Sequence, residues 1–107
     1  MNSTLIVAKM ESSSASDVAR LFGQFDTTEM PGRMGTQRRQ LFMYRGLYFH
    51  LQDFEGSDGG ERIEEAKKDP RFIAISNDLR PHIDAFDPAT WRSPSDAMAE
   101  RFYHWTA

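Results

Sequence analysis

The residue pattern of this 107-residue chain predicts an α+β domain of order βαββαβ built on one antiparallel sheet. Three observations carry that reading. Period-two alternation of side-chain character recurs near both ends and in the middle of the chain, as strands require. Between these runs lie segments whose apolar residues return at three- and four-residue intervals, the spacing of one helical face. Gly46 separates two strand-like runs by so short a connection that they pair as an antiparallel hairpin.

Thr4 to Met10 is the first strand, with Leu5 and Val7 on one side and Thr4, Ile6, Ala8 and Met10 on the other. Both sets are largely apolar, so both faces are expected to be covered. Glu11 to Ser14 is turn-like. Ser14-Ala15-Ser16-Asp17 fits a capping box in its Asp form. Val18, Leu21, Phe22 and Phe25 then mark a helix over Ala15 to Phe25, which Pro31 prevents from continuing. Thr27 to Thr36 reads as a loop punctuated by Pro31, Gly32 and Gly35.

Gln37 to Arg45 is the second strand. Arg39, Leu41 and Met43 share one face; Arg38, Gln40, Phe42 and Tyr44 share the other. Leu47 to Phe54 is the third, with Tyr48, His50 and Gln52 opposite to Leu47, Phe49 and Leu51. Glu55 to Gly60 is an acidic, glycine-rich loop, and Glu61 to Lys68 a charged helical segment. Asp69-Pro70 reads as an N-cap followed by proline at the first helical position. Phe72, Ile75 and Leu79 mark the helix it opens, and Pro81 closes it. Residues 82–96 are irregular, and Ala97 to Trp105 alternates as the last strand.

This split order is that of a ferredoxin-like fold, with both helices on one sheet face. The other face is expected to be covered by a second copy, giving a homodimer arranged as an α+β barrel.

Composition bounds the function. The length suits one domain over residues 1–107. Hydrophobic residues make up 39%, a modest core supply to which eight Phe, three Tyr and two Trp add large buried areas. A net charge of −3 with both signs dispersed gives no basic stripe for nucleic acid and no polybasic membrane anchor. Without cysteine there is no disulfide, thiolate metal site or thiol nucleophile. Met1 to Met10 lacks the form of a signal peptide, and no apolar run approaches the ~20 residues that span a bilayer. The cytoplasm is the expected compartment.

At Asp26-Thr27-Thr28-Glu29-Met30-Pro31, Gly35, Arg38-Arg39, Leu41-Phe42 and Leu47-Tyr48-Phe49-His50-Leu51, the chain resembles the tetracenomycin-cyclase family of type II aromatic polyketide cyclases. Asp69-Pro70-Arg71-Phe72 and the terminal Phe102 to Ala107 are similar as well. The likeness covers nearly the whole chain, and its specificity lies in the ordered set rather than in any one motif. It implies a ferredoxin-like dimer that folds and closes a partly cyclised poly-β-ketone without cofactor. An aromatic polyketide intermediate would be the substrate, and components of a type II polyketide synthase would be associated partners. The chain departs from the tetracenomycin enzyme at one position: that enzyme has a His before the Asp of this loop, where this chain has Phe25.

Closing such a ring is an intramolecular aldol reaction with loss of water. It needs a folded substrate, removal of a proton between two carbonyls and stabilisation of the enolate oxygen, and much of it is orientation. His50 is the acid–base candidate, since imidazole titrates near neutrality; a half-buried, hydrogen-bonded structural histidine is the plainer reading. Arg39 offers a permanently charged fork for an enolate or phenolate oxygen, and its position relative to the family's arginine selects it over Arg38; the plainer reading is a salt bridge. Asp26 sits where the helix dipole disfavours an acid. It is the third catalytic candidate; the plainer readings are a loop-capping hydrogen bond or a partner cation such as Arg39 or His50, and capping is read ahead of catalysis. Thr27, Phe42, Tyr48, Tyr103 and Trp105 are the candidate ligand contacts, although strand aromatics more often form core or interface. His82 and His104 have no ligand-like spacing with His50, so no metal is expected. Two other functions suit the same residues: a cofactor-free monooxygenase acting on an anthrone-like ring, and a non-catalytic module that binds the polyketide.

Overall fold

The structure is a computed structural model that describes residues 2–56, 59–92 and 94–107. Its elements run β1 (Asn2–Lys9), a 3-10 turn (Ser12–Ser14), α1 (Ala15–Phe25), α2 (Met30–Met34), β2 (Thr36–Tyr44), β3 (Leu47–Phe54), α3 (Gly59–Ala66), α4 (Pro70–Leu79), β4 (Asp84–Ala85) and a second 3-10 turn (Pro94–Ala97). The sheet is antiparallel in the order β2-β3-β1-β4. This is the ferredoxin-like arrangement that the element order predicts.

Register sets which side chains share a face. Ala8 pairs with Tyr48, Ile6 with His50 and Thr4 with Gln52. Across the other edge, Met43 pairs with Tyr48, Leu41 with His50 and Arg39 with Gln52. All of these lie on the face that the helices cover. The core joins Ala8, Met10 and Tyr48 of that face to Val18, Phe22 and Phe25 of α1, Met30 and Met34 of α2, Ala66 of α3 and Ile75 of α4. The periodicity of Val18, Phe22 and Phe25 is thus what seats α1 on the sheet.

Two devices fix the hairpin. Arg45 and Gly46 both take positive φ, 48° and 80°, the two-residue turn whose twist matches antiparallel strands. At the far end the register shifts between Thr36 and Arg38, a bulge at Gln37. The bulge returns Thr36 to the helix-covered face, where its hydroxyl accepts from Gln52 Nε2 at 2.6 Å. Gln52 is only 4% exposed, so this bond satisfies a buried amide.

Several sequence expectations are corrected. The Ser14 capping bond is not made, because the preceding 3-10 turn leaves Ser14 helical; its hydroxyl lies 3.1 Å from His82 Nδ1 instead. The segment read as a loop contains α2. There Pro31 stands in the first turn, where its missing N–H costs nothing, and Gly35 closes the helix at φ 74°. In the segment Glu55 to Gly60, helix α3 already begins at Gly59; Ser57 and Asp58 lie outside the described residues.

The last strand is Asp84–Ala85, inside the stretch read as irregular, and Ala97 to Trp105 is not a strand. Met98 makes an isolated bridge to Ile6 and the Ala99 N–H donates to the Leu5 carbonyl, after which the chain leaves the sheet edge. Alternation makes a strand only where the backbone stays paired. The expected Asp69 cap is present: its carboxylate accepts from the Arg71 N–H at 2.8 Å.

Among the described residues no helix packs on the second face of the sheet. It carries Leu5, Val7, Leu47, Phe49 and Leu51, all half-buried, with Phe42 49% and Tyr44 61% exposed at its β2 edge. One buried acid, Asp53, lies on it, accepting from Ser3 and, at 2.8 Å, from Arg38. These bonds hold the Asp53 carboxyl below its ordinary range, against the opposing effect of burial. Among the described residues no helix is long and apolar enough to cross a membrane.

Candidate active site

Asp26, Arg39 and His50 come together beneath α1. Asp26 is the residue at which α1 ends, its N–H returning to the Phe22 carbonyl at 2.8 Å. Arg39 reaches it from β2. Arg39 Nε donates to both carboxylate oxygens at 3.1 and 3.2 Å, and Nη2 donates to Oδ1 at 3.0 Å. Arg39 Nη1 then meets His50 Nε2 at 2.9 Å. Arg39 and His50 are diagonal neighbours on paired strands, a separation that a long side chain spans.

The pairing of Asp26 with a cation, rather than a loop cap, is what the fold adopts. The threonines do the capping: Thr27 Oγ1 donates to the Gln24 carbonyl and Thr28 Oγ1 to the Phe25 carbonyl, both at 2.7 Å. The Thr27 hydroxyl is thereby committed to the helix end.

Aromatic rings enclose the guanidinium. Its carbon lies 4.8 Å from the Phe22 centroid and 5.7 Å from that of Phe25, within cation–π range. Phe22 also meets the His50 ring edge-on at 5.3 Å, and Tyr48 meets it at 6.4 Å. The Arg39 side chain is 7% exposed and that of Asp26 36%. Burial first, and the neighbouring Arg39 charge second, drive the His50 pKa down to about 3, so the imidazole is neutral at physiological pH. Burial raises the Tyr48 hydroxyl well above the usual tyrosine range despite Arg39, so it stays protonated and able to donate.

Each arginine carries five N–H donors. Asp26 and His50 take the Nε–H, one on Nη2 and one on Nη1. One donor on each of Nη1 and Nη2 is left without a partner among the described residues. The site therefore holds a fixed cation with two uncommitted N–H bonds, a neutral imidazole and a neutral phenol. That set suits stabilisation of an oxygen on which negative charge develops.

A cleft of about 260 Å³ lies at the hairpin end of the molecule, lined by Met10, Ser12, Met43, Tyr44, Arg45 and Gly46. Its Met43 shares a face with Arg39, four residues or about 13 Å along the strand. A larger hollow of about 550 Å³ is a shallow groove bounded by Glu61, Glu64, Glu65 and Lys68. Its charged lining is unsuited to an apolar ligand.

The remaining expected contacts are dispersed. Tyr48 is on the site's face. Phe42 is on the opposite face of the sheet, and Tyr103 and Trp105 are 76% and 71% exposed on the C-terminal arm. These three do not join the Asp26–Arg39–His50 group. Phe22, which encloses the guanidinium, was read from its spacing only as core; the signal for more was its place on the same helix face as Phe25, one residue before Asp26.

Comparison with known proteins bears on the family and the fold. Residues 2–106 match the model of the polyketide synthesis cyclase family. The chain is 42% identical to an uncharacterised Streptomyces coelicolor protein, covering 98% of this chain and 95% of that one. It is 39% identical to polyketide synthase CurG of Streptomyces cyaneus, covering 98% and 97%. Tetracenomycin F2 cyclase of Streptomyces glaucescens, a type II polyketide cyclase, superposes with a TM-score of 0.90 at 34% identity, over 100% of this chain and 99% of that structure. An antibiotic biosynthesis monooxygenase structure, 11% identical with a TM-score of 0.51 over 77% of this chain and 86% of that one, shares the fold alone. The chain belongs to the polyketide synthesis cyclase family.

Proposed function

We propose that this protein closes a ring of an aromatic polyketide intermediate by intramolecular aldol addition and dehydration, without cofactor, as a homodimer. The observation that carries the reading is the Arg39 guanidinium, held by Asp26 and His50 with two N–H donors to spare. A proton between two ketones is already acidic, so its removal needs no strong base. The difficult parts are folding the chain and holding the enolate oxygen, and a buried cation with fixed donors supplies the second. Phe22 and Phe25 pack on that guanidinium and keep water from it.

A cleft of about 260 Å³ falls below the ~300–1,000 Å³ usual for ligand sites. A second protomer packed on the bare sheet face would cover Phe42 and Tyr44 and add a wall beside the Tyr44–Gly46 rim of that cleft. The substrate would come from components of a type II polyketide synthase.

The test is product analysis of a type II synthase reaction with and without the protein, in air and without oxygen, and of tetracenomycin F2 as a defined substrate. A dehydrated ring formed equally without oxygen is expected, at a rate lowered about 100-fold in Arg39→Met, the scale of one lost oxyanion donor. Oxygen incorporated only in air would replace the reading with a monooxygenase, and an unchanged product pattern would replace it with a binding module.

A further inference from the structure

The contact between Arg39 Nη1 and His50 Nε2 at 2.9 Å has only one chemical sense. Arginine has donors and no acceptor, so the imidazole Nε2 accepts. The ring proton therefore resides on Nδ1, which makes no hydrogen bond to a described residue. Among the described residues, the groups around the ring do not favour a second proton. Phe22 of α1 packs on its edge, and Ile6 and Leu41 flank it on the paired strands. Tyr48 is a neutral phenol, and the charge that faces the ring is the Arg39 cation. Asp26, the nearest carboxylate in this network, is spent on the far edge of the guanidinium.

We infer that His50 is a positioning residue, whose Nε2 lone pair aims the Arg39 guanidinium, and that it is not the group that takes the substrate's proton. Asp26 grips the Nε–Nη2 edge and His50 grips Nη1, so the plane of the fork is fixed from two directions. The neutrality of the second grip matters. Asp26 already balances the Arg39 charge; a second carboxylate at position 50 would make the site negative and oppose an enolate. A neutral acceptor orients the cation without cancelling it. This assignment is an alternative to the acid–base role expected for His50 from its residue type. It rests on the cyclase reading above, in which Arg39 receives the enolate oxygen.

His50→Gln and His50→Ala separate the two roles. A glutamine offers an amide oxygen near the Nε2 position but cannot shuttle a proton; alanine offers neither. With tetracenomycin F2 as substrate, His50→Ala should lower kcat/KM by about tenfold or more, the scale of one hydrogen bond to a charged group. His50→Gln should recover most of that loss, to within about threefold of wild type. The pH–rate profiles of wild type and His50→Gln should share the same shape from pH 5 to 8. Two-bond nitrogen–proton NMR of the wild-type imidazole provides a check that needs neither substitution nor turnover. It should show Nε2 unprotonated and no titration over that range.

A folded His50→Gln as slow as His50→Ala, a rate limb near pH 6.5 that His50→Gln loses, or a proton on Nε2 would overturn the positioning role. Arg39→Met run alongside keeps the two failures apart. If it turns over as wild type, the oxyanion reading fails whatever His50 does. If it is slow while His50→Gln is not rescued, that reading stands and the positioning role falls.

Discussion

Replacing Asp26 with asparagine removes a charge and almost no volume, so it isolates the carboxylate's part in holding Arg39. The pair joins a guanidinium that is 7% exposed to a carboxylate that is 36% exposed. Stripping one partner from a fully buried pair costs about 3–5 kcal/mol, whereas exposed pairs contribute about 0–1 kcal/mol. The asymmetric burial here places the expected loss between these limits, at about 2 kcal/mol, a sizeable part of a typical 5–15 kcal/mol stability. For a domain near this size that is a fall in Tm of about 8–16 °C. Urea unfolding at fixed protein concentration would measure it, concentration being held because self-association alters apparent stability.

The cost arises from an isolated buried cation, so removing the cation should relieve it. The double variant Asp26→Asn with Arg39→Met should be more stable than Asp26→Asn alone. A single variant within about 0.5 kcal/mol of wild type, or a double variant whose loss is the sum of the two single losses, would refute the reasoning.

Other outcomes follow from features of the same fold. His50 stays neutral in the folded protein down to about pH 3, whereas an unfolded histidine takes up a proton near pH 6.5. The unfolded chain then binds more protons in that interval, so stability should fall as pH drops from about 6.5 towards 3; His50→Gln should lack this slope above about pH 4.5, and an unchanged slope would count against neutrality. Gly35 sits at φ 74°, and an added Cβ would meet Arg62 Nη1 at 2.7 Å, the end of a side chain that can move; Gly35→Ala should cost about 1–2 kcal/mol from the backbone alone. Gly23 lies within α1 with open space around it, so Gly23→Ala should stabilise by about 0.5–1 kcal/mol, and matching signs in thermal melts would contradict the pair. Phe42→Glu with Tyr44→Glu should lower the sedimentation mass from dimer to monomer; a wild-type monomer at tens of micromolar would remove the sheet-face interface.

Where local pattern and tertiary packing agree, the sequence was a good guide. The i, i+3, i+4, i+7 spacing from Val18 to Phe25 marks α1 residue for residue, and alternation marks β3 from Leu47 to Phe54. Helix α2 was hidden because Pro31 and Gly32 look like breakers, although a proline in the first turn and a left-handed glycine after the last are how a short helix starts and stops. The terminal segment misled for another reason. Its aromatics alternate, but a strand exists only where it pairs, and after Ala99 the chain turns away from the open β1 edge. At the site, residue types pointed to Asp26, Arg39 and His50. The protonation state of His50 was not legible, since it follows from burial and from which nitrogen faces Arg39.

The three polar groups of the site hang from different kinds of support. Arg39 and His50 belong to one hairpin, whose register is pinned by the Arg45–Gly46 turn at one end and the Gln37 bulge at the other. Asp26 stands at the C-cap of a helix, just before the exposed Thr27 to Glu29. Local opening of that helix end would withdraw the carboxylate while leaving the arginine and imidazole in contact. Amide hydrogen exchange should therefore divide the site, with early exchange around residues 26–29 and late exchange along residues 47–54. Affinity for anions at Arg39 would rise each time the helix end opens, because the cation is then without its counter-ion.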